Sequence, residues 1–445
     1  MSRWQNWALI GAVLLTFSGI ACEKPKTKAT IPPTNGTETP PTKPGPTAAE
    51  RSIMPSWPQF HGPKGDNISL ETGLLKQWPE KGPKLLWTSK GIGDGFGCPS
   101  LATGLIFVSG NINGKTMVTA MDLDGHIQWQ TPAGDAWTGS HSGARGTPTI
   151  DGERLYHENP LGQVVCLNAK AGREIWSVNI LKESDAANIT WGLAESVLVD
   201  GDRVICCPGG KKASVVALDK KTGKTVWAAK STGDLANYAT PVLIEYRGLR
   251  ILLTMTQKAL IGVNADTGDL LFRHPHETQY DVNATPPVFH DGQIFITSGY
   301  GSGSEMLKLL VDGKKASVET AWQSKELDNH HGGVILLDGY LYGAAHQRNG
   351  GRWICLAWKD GAKKYAEKGV GKGSLTCADG MLYCWSENGQ VGLVPATPEK
   401  HEPVSRFNVA SGGDGPTWAH PVVCGGRLYL RHGDVLHAYD IRAEK

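Results

Sequence analysis

One unit recurs along most of this chain, and an internal repeat constrains a fold more tightly than any other feature of a sequence. One copy runs Gly146-Thr147-Pro148-Thr149-Ile150-Asp151-Gly152, then Arg154-Leu155-Tyr156, Val164-Val165-Cys166-Leu167-Asn168 and Ala171-Gly172-Arg173-Glu174-Ile175-Trp176. The next has Val197-Leu198-Val199-Asp200-Gly201, Arg203-Val204-Ile205, Val215-Val216-Ala217-Leu218-Asp219, Thr222-Gly223 and Val226-Trp227. Each copy reads as four short strands with Asp-Gly at the first turn, a strong hairpin signal because type I′ turns need positive φ at both central residues. The dipeptide returns as Asp291-Gly292, Asp338-Gly339 and Asp379-Gly380, with Thr103-Gly104, Arg247-Gly248 and Gly425-Gly426 as variants, which makes eight first turns. The bulky residue of the fourth strand returns as Trp129, Trp176, Trp227, Phe272, Trp322, Tyr365 and Phe407, spaced from 42 residues (Tyr365 to Phe407) to 51 (Trp176 to Trp227). That is the period of propeller blades. Glycine, 56 of 445 residues and scattered, suits a chain with many tight turns.

The eighth unit stops after Val435-Leu436-His437-Ala438-Tyr439-Asp440, and its missing strand is found at the other end, as Leu85-Leu86-Trp87. The expected fold is all-β: an eight-bladed β-propeller of four-stranded antiparallel blades over residues 85–445, closed by an N-terminal strand that forms the outside of the last blade. Each Trp is expected to pack its apolar face on the adjacent blade.

Ahead of the ring the chain reads as a targeting region. Arg3 precedes a short apolar stretch from Trp7 to Phe17, too short to span a bilayer comfortably, and Gly19-Ile20-Ala21-Cys22 follows. Residues 1–21 are expected to be a signal peptide and Cys22 to carry a lipid, although Gly19 stands where a lipobox commonly has leucine. Residues 22–55, rich in Pro and Thr and nearly free of apolar side chains, cannot offset their ordering entropy and read as a disordered tether. At about 3.1 Å per residue it would reach up to about 100 Å. Residues 56–84 form a leader segment before the ring.

A net charge of +2 implies no polyelectrolyte partner, so nucleic acid is not expected. Export permits disulfides, but the cysteines after Cys22 mostly lie in apolar strand-like runs and read as small buried hydrophobes. No Cys-x-x-Cys-His occurs, so no covalent haem is expected, and no Cys or His cluster has zinc spacing.

The segments Asn168-Ala169-Lys170-Ala171-Gly172-Arg173-Glu174-Ile175-Trp176 and Ala217-Leu218-Asp219-Lys220-Lys221-Thr222-Gly223-Lys224-Thr225-Val226-Trp227 resemble the repeat of pyrroloquinoline-quinone-like (quinoprotein-type) propellers. The resemblance covers about 85–445, and Trp57-Pro58-Gln59-Phe60-His61-Gly62-Pro63 is similar to a leader common in bacterial members. Several unrelated roles share this repeat, so it specifies fold more strongly than function.

In such a ring the loops leading into each innermost strand share a face with those joining strands two and three, around the mouth of the central channel, where ligands usually bind. These loops carry Asp94, Phe96, His141, Arg145, Trp191, Glu195, Asn237, Tyr238, Asp281, Asn283, His330, His331, Lys372, Trp418 and His420. The second set adds Glu158, Asn159, Lys211, Gln257, Tyr300, His346, Glu387 and His432. Of these, Arg145, Trp191, Glu195, Asn237, Tyr238, Asn283, His330, His331, Trp418 and His420 are the candidate ligand or partner site.

The resemblance to quinoprotein dehydrogenases implies one use of the mouth: pyrroloquinoline quinone held with calcium, whose oxygen ligands would come from Glu195, Asn237 and Asp281. Asp281 would be the catalytic base, Arg145 a partner for a quinone carboxylate, and Trp191 or Trp418 the flat surface under the ring. Some of those enzymes also use a disulfide between adjacent cysteines. Cys206-Cys207 is the only candidate here, and neighbouring strand residues point to opposite faces, which opposes the bond. The resemblance equally covers lipoprotein propellers that assist outer-membrane protein assembly and hold no cofactor. The leading expectation is therefore a monomeric, exported binding or scaffold ring, anchored to a membrane by its lipid alone at the periplasmic face of the outer membrane or the cell surface. It would hold a cell-envelope protein or peptide at the channel mouth. The alternatives are a quinone- and calcium-dependent dehydrogenase of alcohols or polyols and a glycan-binding propeller.

Overall fold

The computed structural model describes residues 55–443. The expected signal peptide, Cys22 and nearly all of the tether lie outside the described residues. Eight separate sheets form the ring. Blades 1 to 7 each take four consecutive strands, from Ser100–Ala102 at the inside of blade 1 to Ser405–Asn408 at the outside of blade 7. Blade 8 takes Val422–Cys424, Arg427–His432 and Val435–Asp440, and its outer strand comes from the far end of the ring chain. With β1 assigned to Ile68–Ser69, that closing strand is β2, Lys84–Lys90, antiparallel to Val435–Asp440 with Trp87 opposite Ala438. Both the blade count and the closure expected from the repeat are present. Among the described residues no helix is long and apolar enough to cross a membrane.

Six of the eight first turns have positive φ at both central residues, as in Asp338-Gly339 (49° and 80°) and Gly425-Gly426 (67° each). Blades 2 and 3 differ. There Asp151 pairs with Arg154 and Asp200 with Arg203, so the aspartate belongs to the strand and only Gly152 (59°) and Gly201 (58°) are left-handed. One left-handed glycine at the first central position is the type II′ arrangement, which joins strands of the same twist.

The recurring aromatic residues pack across blade boundaries, as expected. Trp129 of blade 1 covers Gly172 of blade 2, where an added Cβ would come within 2.6 Å of the indole. At the closure Trp87 covers Gly125 of blade 1 with 2.7 Å for the same contact, and its Nε1 donates to the Leu123 carbonyl at 2.9 Å. Between neighbouring blades the inward-pointing strand residues make separate apolar layers; Tyr156, Cys166, Val204 and Cys206, for instance, pack together between blades 2 and 3.

The leader is built into the ring. Trp57 exchanges backbone hydrogen bonds with Leu101 of blade 1, and Pro58 accepts one from Ile150 of blade 2, all at 2.8 Å. β1 then adds a fifth, parallel strand to the inside of blade 7, with Ile68 opposite Cys377. The segment between these points thus crosses the channel, and Phe60 lines the mouth cavity on one side and a lower cavity, with Lys64 and Leu243, on the other.

Candidate functional site

The loops ahead of the innermost strands converge on one cavity of about 330 Å³ at the channel mouth. Of the ten candidate residues, Arg145, Trp191, Tyr238, His330, His331, Trp418 and His420 line it. Trp418 is the hub of one wall, its ring centroid 5.0 Å from Phe96, 5.0 Å from His141 and 5.4 Å from His331. Across the cavity Trp191 stands 6.1 Å from Tyr238, and Tyr300 meets His346 edge-on at 4.8 Å. The floor is Phe60, stacked on His61 at 3.8 Å. Neither leader residue was among the candidates. Their one sequence signal is an aromatic stretch in an otherwise polar leader, and that stretch carries no clue to which blades it meets.

Two cations face this aromatic space. The Arg145 guanidinium lies 5.3 Å from the Phe96 ring centroid, and its Nη2 donates to the His141 carbonyl at 2.7 Å. Burial lowers its pKa to about 10, so it stays charged at neutral pH. Lys372 Nζ is 3.1 Å from Glu387 Oε1 and 3.1 Å from His346 Nδ1. His331 Nε2 lies 3.3 Å from the same Glu387 oxygen, and His330 Nδ1 is 3.1 Å from His331 Nδ1.

The histidines are held neutral. Burial, then His346 and Lys372, brings His330 down to about 3; burial brings His420 to about 4 and holds His331 well below the usual value, with His330 and Lys372 adding to the effect. The mouth therefore offers aromatic faces, neutral imidazoles that donate or accept, positive charge at Arg145 and the Lys372–Glu387 ion pair. That set suits apolar and aromatic groups with an anionic or hydrogen-bonding edge.

Glu195, Asn237, Asn283 and Asp281 do not line the cavity. Glu195 is turned into the wall between its lining neighbours Ala194 and Ser196, and its Oε1 accepts from Cys207 N–H at 2.6 Å. Asn237 Oδ1 accepts from Tyr238 N–H at 2.9 Å and Asn283 N–H at 2.8 Å, while its Nδ2 donates to the carbonyls of Thr256 and Asp281. Asn283 Oδ1 accepts from Ser298 Oγ at 2.7 Å, and Asp281 Oδ2 from Gln257 Nε2 at 2.7 Å. A calcium site needs six to eight oxygens directed at one point. Here the Asn237 oxygen is taken by two backbone amides and the Glu195 carboxylate faces away from the cavity, so these three residues do not fit a calcium ion beside a quinone. Cys206 and Cys207 are both free and pack in different apolar layers, in keeping with the strand geometry.

A family profile described as outer membrane protein assembly factor BamB matches residues 68–191 and 114–367, together 68–367 of the 445. BamB of Kangiella koreensis is 26% identical over 213 residues, 45% of this chain and 48% of that protein. BamB of Bordetella pertussis is 36% identical over 141 residues, 31% of this chain and 32% of that protein. The chain thus spans about half or less of the curated relatives it matches. Among solved structures, BamB from Moraxella catarrhalis aligns with a TM-score of 0.57 at 16% identity, covering 81% of this chain and 98% of that one. The quinohemoprotein alcohol dehydrogenase from Comamonas testosteroni aligns with a TM-score of 0.62 at 13% identity, covering 88% and 81%. At such identities these two likenesses speak for the fold alone. The matched repeat, the eight blades and the family profile together mean that the chain belongs to the pyrroloquinoline-quinone-like propeller family of outer membrane protein assembly factor BamB.

Proposed function

We propose that this propeller is a binding and scaffold module of the cell envelope that takes part in outer-membrane protein assembly, holding a protein or peptide segment at the channel mouth. In this reading the chain is exported, Cys22 carries a lipid at the periplasmic face of the outer membrane, and the tether lets the ring reach its partners. The observation that carries it is the mouth itself: an aromatic cavity with positive charge at Arg145 and the Lys372–Glu387 ion pair, floored by Phe60, whose hard-oxygen residues are committed to holding the loops together. Such a surface can bind but lacks the convergent oxygens that a calcium-quinone reaction requires. The family points to the same kind of role.

The test is site-specific photocrosslinking in cells. A photoreactive residue in place of Trp418 or Tyr238 is expected to capture proteins of the outer-membrane assembly machinery, and one in place of Asp360, in an outer turn of blade 6, is not. Arg145→Ala should cut the capture from the Tyr238 position severalfold. Equal capture from both faces, or capture only from Asp360, would refute a mouth-centred site.

A further inference from the structure

Behind the cavity wall lies a second cluster, built from three distant parts of the chain. Glu158 ends the second strand of blade 2 (Arg154–Glu158), and Cys206 ends the second strand of blade 3 (Arg203–Cys206). Glu195 sits in the loop just ahead of the innermost strand of blade 3. Glu158 and Glu195 are each 2% exposed and Cys206 is fully enclosed. One oxygen of each carboxylate and the Cys206 Sγ all lie within 4.8 Å of one another.

Glu195 has a partner that aims it, the Cys207 backbone N–H at 2.6 Å. Among the described residues neither oxygen of Glu158 meets an N–H or hydroxyl donor, and only the Glu195 carboxyl is placed to share a proton with it. A buried carboxylate without a partner is costly, so a proton or a cation must complete this cluster. Burial raises the pKa of both carboxyls, and the neighbouring Glu195 carboxylate raises that of Glu158 further.

We infer that Glu158, Glu195 and Cys206 form a binding site for one zinc-class divalent cation. Burial and the two carboxylates keep Cys206 a thiol in the absence of an ion. When a bound cation displaces its proton, the sulfur beside two carboxylates suits a borderline-soft ion that accepts sulfur and oxygen together, and disfavours calcium or magnesium, which take oxygen alone. Zinc–ligand bonds of about 2.0–2.3 Å put tetrahedral ligand atoms about 3.5 Å apart, so the cluster needs only a small contraction to close on an ion. The Cys207 amide would orient the Glu195 ligand from outside, as second-layer donors do in metal sites. Three protein ligands leave the fourth position to a water. Because Ala194 and Ser196 line the mouth cavity on either side of Glu195, the ion would pin blade 2 to blade 3 immediately behind the binding surface.

The full chain, purified without chelator from zinc-supplemented cells, is assayed for metal by mass spectrometry and reloaded with cobalt(II). Zinc is expected to remain at one ion per chain through gel filtration, and cobalt to give a thiolate-to-metal charge-transfer band. Cys206→Ser should abolish the band. Glu158→Gln should weaken zinc binding by at least about 100-fold, beyond the effect of losing an outer-layer donor. Cys384→Ala, which removes a buried thiol in blade 7, should leave both signals intact. If Glu158→Gln does not fold, the cobalt band in Cys206→Ser against wild type decides alone. A folded wild-type ring with neither stoichiometric zinc nor a cobalt band, or a band that survives Cys206→Ser, overturns the inference; Glu158 then keeps its proton and donates it to Glu195.

Discussion

His61 Nε2 and His420 Nδ1 lie 3.1 Å apart, and the contact joins the leader to the loop ahead of the last blade's inner strand. The direction of the bond follows from the partners around it. His420 Nε2 is 2.7 Å from the His331 carbonyl, so it must carry its hydrogen there. Nδ1 is then the acceptor, for His61 Nε2–H and also for Asn67 Nδ2 at 3.3 Å. A proton added at His420 Nδ1 would set donor against donor in both contacts.

This contact makes the ring acid-sensitive. Burial pulls His420 down to about 4, and burial with the neighbouring His420 pulls His61 well below the usual value. Both folded values lie under the unfolded value of about 6.5, so below that pH the unfolded chain binds more protons and stability falls. Each ring contributes a loss of up to about 1.4 kcal/mol per pH unit between about 6.5 and its folded value. Urea unfolding at pH 7.5 and pH 5 should give a clearly lower midpoint at pH 5, and His420→Gln should lessen the dependence, the remainder coming from the other buried histidines, His330 and His331 among them. An unchanged midpoint would contradict the neutral pair.

At the ring closure, Gly125→Ala should be costly on two counts. The residue has a φ of 85°, and a Cβ would stand 2.7 Å from the Trp87 indole. A loss of about 2–4 kcal/mol is expected, from left-handed strain and overpacking together. In the Trp87→Ala background the same change should cost about 1 kcal/mol, the strain alone. Additive costs across this double-mutant cycle would mean that the indole does not press on the turn.

Lys372→Met should raise the pKa of His331. After burial, Lys372 is one of the neighbours that hold His331 low, and it shares Glu387 Oε1 with it. Without the lysine the carboxylate is left to the imidazole alone, 3.3 Å away, and favours its protonated form. An NMR titration of the His331 ring signals should show the upward shift, and a shift downward would reverse the argument.

Asn237→Ala should lower stability by about 2 kcal/mol, because it strips the Asn237 oxygen from the buried Asn283 N–H and from the Tyr238 N–H at once, while the Thr256 carbonyl keeps Asn283 Nδ2. Calcium, by contrast, should leave the melting temperature of the wild-type ring within about 1 °C, since an ion bound only by the folded state would raise it. A calcium-induced rise that Asn237→Ala abolishes would return the asparagine to the role of a metal ligand.

The blades could be read because each is written locally: a two-residue turn, a glycine and an aromatic at a fixed period. The type II′ turns of blades 2 and 3 escaped that reading, since Asp-Gly looks the same whether its aspartate ends the strand or begins the turn. In the mouth the expected loops line the cavity, but not always with the expected residue. Ala194 and Ser196 face the cavity while Glu195 between them faces the wall, a difference of one residue that needs the strand register to be known. Phe60 and His61 escaped for another reason. Their partners lie in parts of the chain hundreds of residues away, and no local pattern encodes such a meeting.

The pairing of Lys84–Lys90 with Val435–Asp440 sets an order on the birth of the molecule. While the chain is being made, the closing strand exists from early on, but the edge that receives it appears only after blades 1 to 7. β1 meanwhile waits for blade 7, and until blade 8 is made the cavity lacks the wall that Trp418 and His420 supply. The mouth is complete only after Val435–Asp440 has arrived, so a copy that has not reached this strand has no assembled mouth.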